Sequence, residues 1–251
     1  MMHVAWAGLF RLLGRRCHGC GAVTTEGGQG ALPPLCSVCA SALSGWSAAC
    51  CPGCGQMFAG RTGGVSSLCS SCRLTPRPWD RLFFFGPYEG LLRELVLSYK
   101  FHSRLGAGRL LRGAACEAWL RGQGASGEAL TAPDVVVPVP LHQRRLRWRG
   151  FNQSRELARG LGQMLDRPVC SDALVRVRHT VPQISLGAAE RRRNVCDAFV
   201  AEAATMSGAR VLLVDDVMTT GGTLEECTRV LRRAGAATVS VLVVARTSSS
   251  G

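Results

Sequence analysis

The pattern of apolar and polar positions divides the chain near residue 75. From about residue 15 to 75, cysteine, glycine and serine dominate, and neither helical nor strand periodicity is sustained. Ahead of this stretch, Val4, Leu9, Leu12 and Leu13 have the spacing of a short amphipathic helix. "LTPRPWD" (Leu74–Asp80) is a proline-punctuated linker. Beyond it the pattern changes. "RLFFFGPY" predicts a strand running into a turn, Leu91, Leu92, Leu95 and Val96 take helical spacing, and a second helix is expected over about 104–121. "GQGASGEALTAPD" reads as a loop. "VVVPVP" (Val135–Pro140) is a short apolar run suited to burial on both faces of a parallel sheet. A helix is expected from about Phe151 to Leu165, with strand-like pieces near 173–178 and 199–201. "RVLLVDD" is the strongest strand. Thr223–Ala234 is a helix closed by Gly235, and Ala237–Ala245 is the last strand. Strands alternating with helices imply an α/β fold with a parallel sheet and right-handed crossovers. The expected organisation is a small unit over 15–75 and an α/β domain over 80–247.

Composition narrows the partners. The chain has 251 residues, 47% of them apolar, which is enough for a sizeable core. It has no run of about 20 apolar residues, so no membrane-spanning helix is expected. The apolar N-terminal run has its basic residues after it and shows no small-residue cleavage site, so a cytoplasmic protein is expected. The net charge is +13, and Lys100 is the sole lysine. An arginine-rich surface favours polyanions, above all phosphate groups, which the guanidinium fork meets in a bidentate way.

Of the 13 cysteines, eight fall in CxxC pairs: Cys17 and Cys20, Cys36 and Cys39, Cys51 and Cys54, Cys69 and Cys72. This repeated spacing is that of tetrahedral four-cysteine zinc sites, and two zinc ions are expected. Metal binding would supply folding energy to a segment short of apolar core. A disulfide framework fits a cytoplasmic protein poorly. Sequential pairing of the CxxC motifs is the simplest arrangement, although crossed pairing also fits the spacing, and Cys50 could substitute for its neighbour Cys51. Cys116, Cys170, Cys196 and Cys227 stand singly and are expected to be buried.

The most informative run is "VLLVDDVMTTGGT", Val211 to Thr223. It places Asp215 and Asp216 at the end of a buried parallel strand, where open α/β sheets bind ligands. Thr219, Thr220, Gly221, Gly222 and Thr223 then turn into a helix. Hydroxyls, loop amides and the helix N-terminus suit a phosphate dianion. Two carboxylates a sugar's width away suit vicinal hydroxyls. Together they describe a ribose 5-phosphate. A Walker loop is excluded because no GxxxxGK[ST] run exists. A response-regulator acidic pocket would place its acids near the start of the domain. An Asp N-cap beside a glycine turn would account for only one of the two acids.

This run resembles the phosphoribosyl-pyrophosphate (PRPP) signature of type I phosphoribosyltransferases. "VVVPVPLHQRRLRWRGFNQSRELARGL", Thr180–Gln183, Leu186, Glu190–Arg191, Asn194–Val195, Ala198–Phe199, the double CxxC front end and "YEG…YKF" are similar to the ComF family. The resemblance covers almost the whole chain. It departs at Asp197, where glycine is usual, at Gly222, where alanine is common, and at Tyr99, where phenylalanine is common.

The resemblance implies a type I phosphoribosyltransferase fold with a parallel sheet and a small N-terminal four-cysteine zinc-ribbon domain. It implies that Asp215 and Asp216 hold the ribose, and that a loop over Pro138–Gly150 holds the pyrophosphate of PRPP together with Mg2+. Arg144, Arg145, Arg147 and Arg149 are the candidates for counter-charge there. The residues agree with this, since six arginines lie between Arg144 and Arg159 with Glu156 the only acid, although a solvated basic face reads the same way. A flexible loop over about 179–194 would close the site, with Gln183, Arg191, Arg192 and Asn194 as candidates. The reaction would be displacement of pyrophosphate at ribose C1 by a nitrogen nucleophile whose pocket is not legible. The family is also associated with natural competence. That implies a second reading, a single-stranded-DNA-binding factor of the competence machinery that keeps the PRPP fold as sensor or scaffold. For that reading, Trp148 and Phe151 are the stacking candidates. The acceptor and the oligomeric state are not legible.

Overall fold

The computed structural model describes residues 15–28, 30–58, 67–102, 105–124, 131–178 and 196–248. The proposed N-terminal helix and the closing loop over 179–194 lie outside them.

In chain order the elements are β1 (Arg15–Arg16), β2 (Val23–Thr24), α1 (Ser37–Ala42), α2 (Ser70–Leu74), β3 (Arg81–Pro87), α3 (Gly90–His102) and α4 (Leu105–Gly124). They continue as β4 (Val135–Pro138), α5 (Gln143–Arg149), α6 (Gln153–Leu165), β5 (Leu174–Arg176), β6 (Phe199–Ala201), α7 (Ala203–Met206), β7 (Arg210–Met218), α8 (Gly222–Arg233) and β8 (Thr238–Arg246).

The central sheet has four strands in the order β3-β8-β7-β4, all parallel. Its inner strands are apolar on both faces because both faces are covered. Leu212, Val214, Leu242 and Val244 pack against Leu95, Leu110, Leu111 and Leu157 of α3, α4 and α6. The alternate residues Val211, Leu213, Val241 and Val243 pack against Leu224, Cys227 and Leu231 of α8. Leu212 and Leu213 are both 0% exposed, and burial of each such side chain contributes roughly 1.5–3 kcal/mol. The strand-like pieces near 173–178 and 199–201 form a separate antiparallel pair, β5 with β6. Just before β6, Asp197 has φ 53°, the left-handed region that glycine favours and aspartate tolerates. This accounts for glycine being the usual family residue there.

The segment 143–149 departs from the expected loop. It is helix α5, capped by His142 accepting from the Arg144 N–H and closed by Gly150 at φ 81°. The two apolar side chains in these seven residues, Leu146 and Trp148, lack helical spacing, so local capping makes this helix.

The two cysteine units have the same local build. In the first, the Cys17–Cys20 knuckle sits in the β1–β2 hairpin, Cys36 immediately precedes α1, and Cys39 lies on it. In the second, Cys50 and Met57 bridge around the Cys51–Cys54 knuckle, Cys69 immediately precedes α2, and Cys72 lies on it. Each knuckle ends on a positive-φ glycine, Gly21 at 82° and Gly55 at 67°, whose N–H donates to the carbonyl of the first cysteine at 2.8 Å.

Candidate functional site

β4 ends at Pro138, opposite Val214. β7 continues to Met218 with β8 still beside it, so from Asp215 onward its β4 flank is open. Asn152 holds the adjoining helix at this edge. Its Nδ2 donates to the Val139 carbonyl at 3.0 Å, and its Oδ1 accepts from the Ser154 N–H at 3.0 Å, which caps α6. Ser154 Oγ then donates to Asp215 Oδ1 at 2.8 Å, and the Asp216 N–H donates to the same oxygen at 2.9 Å. Asp216 shares the strand parity of Leu212 and Val214, and its Oδ2 pairs with Lys100 Nζ of α3 at 2.8 Å. Desolvation, then the charge of Asp216, raises the Asp215 carboxyl to about 7, against the pull of Ser154, the Asp216 amide and Lys100.

Behind the acids, Thr219 is exposed and Thr220 half-buried, and Gly221 caps α8 at φ 88°. A side chain at Gly221 would be strained and would press on Trp79, since a Cβ there would lie 3.3 Å from Cζ-end ring carbon Cη2. Asp215, Thr219, Gly221, Gly222 and Thr223 line one concavity of about 40 Å3. The structure therefore brings Asp215 together with the hydroxyl–glycine turn, while Asp216, held by Lys100, and Thr220 do not line this concavity. Glu225, in the first turn of α8, would repel an anion there. It is buried and ion-paired to Arg77, whose Nη1 also donates to the Thr220 carbonyl at 3.4 Å.

The basic segment is less uniform than its sequence. Arg144 and Arg147 are exposed on α5, whereas Arg145 and Arg149 are half-buried. Arg149 Nη1 donates to Gln153 Oε1 at 2.8 Å, its guanidinium lies 5.5 Å from the Phe101 ring centroid, and burial lowers its pKa against the opposing charge of Asp216. Of the two aromatic candidates, Trp148 is 72% exposed and faces Phe101 at 6.1 Å. Phe151 packs on Tyr99 at 4.9 Å, a packing role and not a free platform. Gln183, Arg191, Arg192 and Asn194 lie outside the described residues.

Two four-cysteine clusters form, Cys17, Cys20, Cys36 and Cys39, and Cys51, Cys54, Cys69 and Cys72, each with its sulfurs within 4.8 Å of one another. Pairing is thus sequential, and Cys50 stays outside both. The donor sets fit zinc: four thiols converge, and amide donors favour thiolate. The Cys36 N–H donates to Cys17 Sγ, and the Cys69 N–H to Cys51 Sγ, both at 3.3 Å. Burial pushes these two thiols up, but the amides outweigh it and bring Cys17 to about 6 and Cys51 to about 7. Cys116 and Cys227 are buried as expected; Cys170 is half-buried and Cys196 exposed, and both stand outside the helices and strands.

Sequence reasoning did not assign Ser154, Glu225 or Arg77 to this region, and singled out Lys100 as the sole lysine and as part of the "YKF" motif without giving it a role. Each contact is long-range and has no local pattern.

The phosphoribosyl transferase domain family matches residues 152–251, a span that includes the acid pair and the hydroxyl–glycine turn. The chain belongs to the ComF family. It is 38% identical to the DNA utilization protein YhgH of Salmonella typhi over 213 residues, covering 85% of this chain and 90% of that protein. It is 34% identical over 181 residues to Competence protein F of Haemophilus influenzae, covering 71% of this chain and 78% of that one. Among solved structures, glutamine PRPP amidotransferase from B. subtilis complexed with ADP and GMP overlaps 53% of this chain and 26% of its own, at 25% identity and a TM-score of 0.36.

Proposed function

We propose that this chain binds PRPP and transfers its phosphoribosyl group to a nitrogen nucleophile, in the handling of DNA that its relatives' names describe. The observation that carries this is the acid pair on the open flank of β7 with the Thr219–Thr223 turn directly behind it. The 5′-phosphate sits on the turn and the N-terminus of α8. Asp215 and Asp216 accept hydrogen bonds from the vicinal ribose hydroxyls. Arg149 and Arg145 face the pyrophosphate; Gln183 and Arg192, outside the described residues, are the further candidates for it. The C1–O bond to pyrophosphate breaks, the C1–N bond forms, and the proton of the nucleophile passes to solvent. The protein's part is positioning and charge stabilisation.

Residues 15–75 form a double zinc-ribbon unit holding two structural zinc ions, and 80–247 the phosphoribosyltransferase-like unit. Among the described residues no further carboxylate joins the acid pair in a metal-binding group, and Asp216 is paired to Lys100. Mg2+ would therefore arrive on the ligand's own oxygens. No described helix is long and apolar enough to cross a membrane, and the proposed setting is the cytoplasm, beside the competence machinery.

A second reading, a non-catalytic factor that binds single-stranded DNA and senses PRPP, is favoured by the exposed Trp148 beside Phe101 within the arginine segment. A pyrophosphate-release screen with PRPP and Mg2+ against bases, nucleotides and single-stranded DNA separates the two. Release with any acceptor supports the transferase. PRPP binding without release moves the assignment to the sensor, and absence of PRPP binding overturns both.

A further inference from the structure

The second cysteine cluster is wired to the turn behind the acid pair. Trp79 Nε1 donates to the carbonyl of Gly53, inside the Cys51–Cys54 knuckle, at 2.8 Å. The same indole fills the space over Gly221. Arg246 ends β8 beside Met218 of β7, and its Nε donates to the Cys54 carbonyl at 2.8 Å. The Arg77 guanidinium lies 5.8 Å from the centroid of the Trp79 ring while holding Glu225 and the Thr220 carbonyl. The segment between the units is thus a docked strap, with Trp79 buried, and not a free linker.

We propose that Arg77 is a positioning residue for the anion site, held in place by the metal-loaded Cys51/Cys54/Cys69/Cys72 cluster. Its guanidinium cancels the Glu225 charge in the first turn of α8 and ties down the Thr220 carbonyl. The turn then presents its amides and hydroxyls to a phosphate with no opposing carboxylate. Loss of the cluster releases Trp79 and Arg77 together, loosens residues 219–224 and leaves the buried Glu225 beneath the anion site with only the half-exposed Arg229, 3.6 Å away, against its charge. This rests on the ribose-phosphate reading only for the ligand; the mechanical link between cluster and turn is independent of it.

The test uses the full chain. Amide hydrogen exchange over Thr219–Leu224 is compared in the wild type, in Cys72→Ser and in Cys36→Ser, with zinc content measured in each. Exchange of the turn should rise at least tenfold in Cys72→Ser, with β7 core amides still protected, and should not rise in any Cys36→Ser molecules that remain folded. Should the cysteine variants fail to fold, Arg77→Gln carries the test: it should keep both zinc ions and weaken PRPP binding about tenfold, a usual size for such coupling. Adding Glu225→Gln should restore most of that loss, an outcome that general loosening would not give. Unchanged turn exchange in Cys72→Ser, or an Arg77→Gln defect that Glu225→Gln fails to rescue, overturns the proposal. If the wild type binds no PRPP while turn exchange still follows the cluster, the ligand reading falls and the mechanical link stands.

Discussion

Cys17, Cys39, Leu35 and Leu43 of the first cysteine unit lie within the main core, against residues of α3 and α4. Cys51, Cys54, Cys69 and Cys72 pack on one another and on Phe58, with no share in either large cluster. Yet the two units have the same knuckle, the same glycine and the same amide-to-sulfur bond. Local sequence therefore makes the four-cysteine cluster, and the surroundings decide what the cluster supports. The first is built into the fold's stability. The second reaches the sheet through polar contacts at the end of β8 and the start of α8, beside the Thr219–Thr223 turn.

The contrast predicts unequal damage. Cys39→Ser should be the most harmful change, since it breaks a metal site embedded in the core. A loss of at least ~3 kcal/mol is expected, in the class of lost metal sites, which lowers Tm by roughly 6–12 °C for a chain of this size. Cys72→Ser should cost less in Tm. Thermal melts showing equal losses would remove the distinction. Metal analysis should find about two zinc ions per wild-type chain, and one in either variant that folds.

A second effect sharpens the view of the acid pair. The folded Asp215 carboxyl, at about 7, lies above its ordinary value of 3.8. Between these values the native state holds the extra proton, so Asp215 lowers stability progressively as pH rises from about 4 to about 7, and the loss is complete above that. Asp215→Asn should remove this decline. PRPP binding needs the ionised acceptor, so wild-type affinity should rise between pH 6 and pH 8 by more than the ligand's own titration gives. Asp215→Asn supplies the baseline for that titration. A wild-type pH profile parallel to that of Asp215→Asn would show that Asp215 does not titrate in this range.

The smallest expected effects lie on α5, remote from both clusters. Binding of single-stranded DNA should fall with salt at a slope of about −0.7 per neutralised phosphate. Arg145→Ala with Arg147→Ala should flatten it by roughly one to two units. Trp148→Ala should cost about 1–3 kcal/mol if a base stacks there. An unchanged slope would move the DNA surface elsewhere, and salt-insensitive binding would exclude arginine–phosphate contacts as its main source.

Strong local patterns carried over from sequence to structure. The apolar runs of β4, β7 and β8 are strands because covered faces need no alternation, and Gly235 ends α8 with φ 102°. The cysteine spacing indicated both clusters, but only the folded chain chose sequential over crossed pairing. The parts that were not legible depend on distant partners. Lys100 meets Asp216, and Ser154 meets Asp215, across wide sequence separations. Arg77 stands in a stretch whose prolines read as a linker, and its docking follows from Glu225 and the Thr220 carbonyl, which no local pattern reveals. Phe151 has the sequence context of a surface aromatic, but Tyr99 covers it.

The most direct measurement is calorimetric titration of PRPP with Mg2+ into the wild type and into Asp215→Asn/Asp216→Asn, with each protein's unfolding followed in parallel. The acids sit on the open flank of β7 and carry no core packing. The double variant should unfold cooperatively, keep both zinc ions and show no measurable PRPP binding. Wild-type affinity in a folded double variant would contradict the placement of the ribose on this pair.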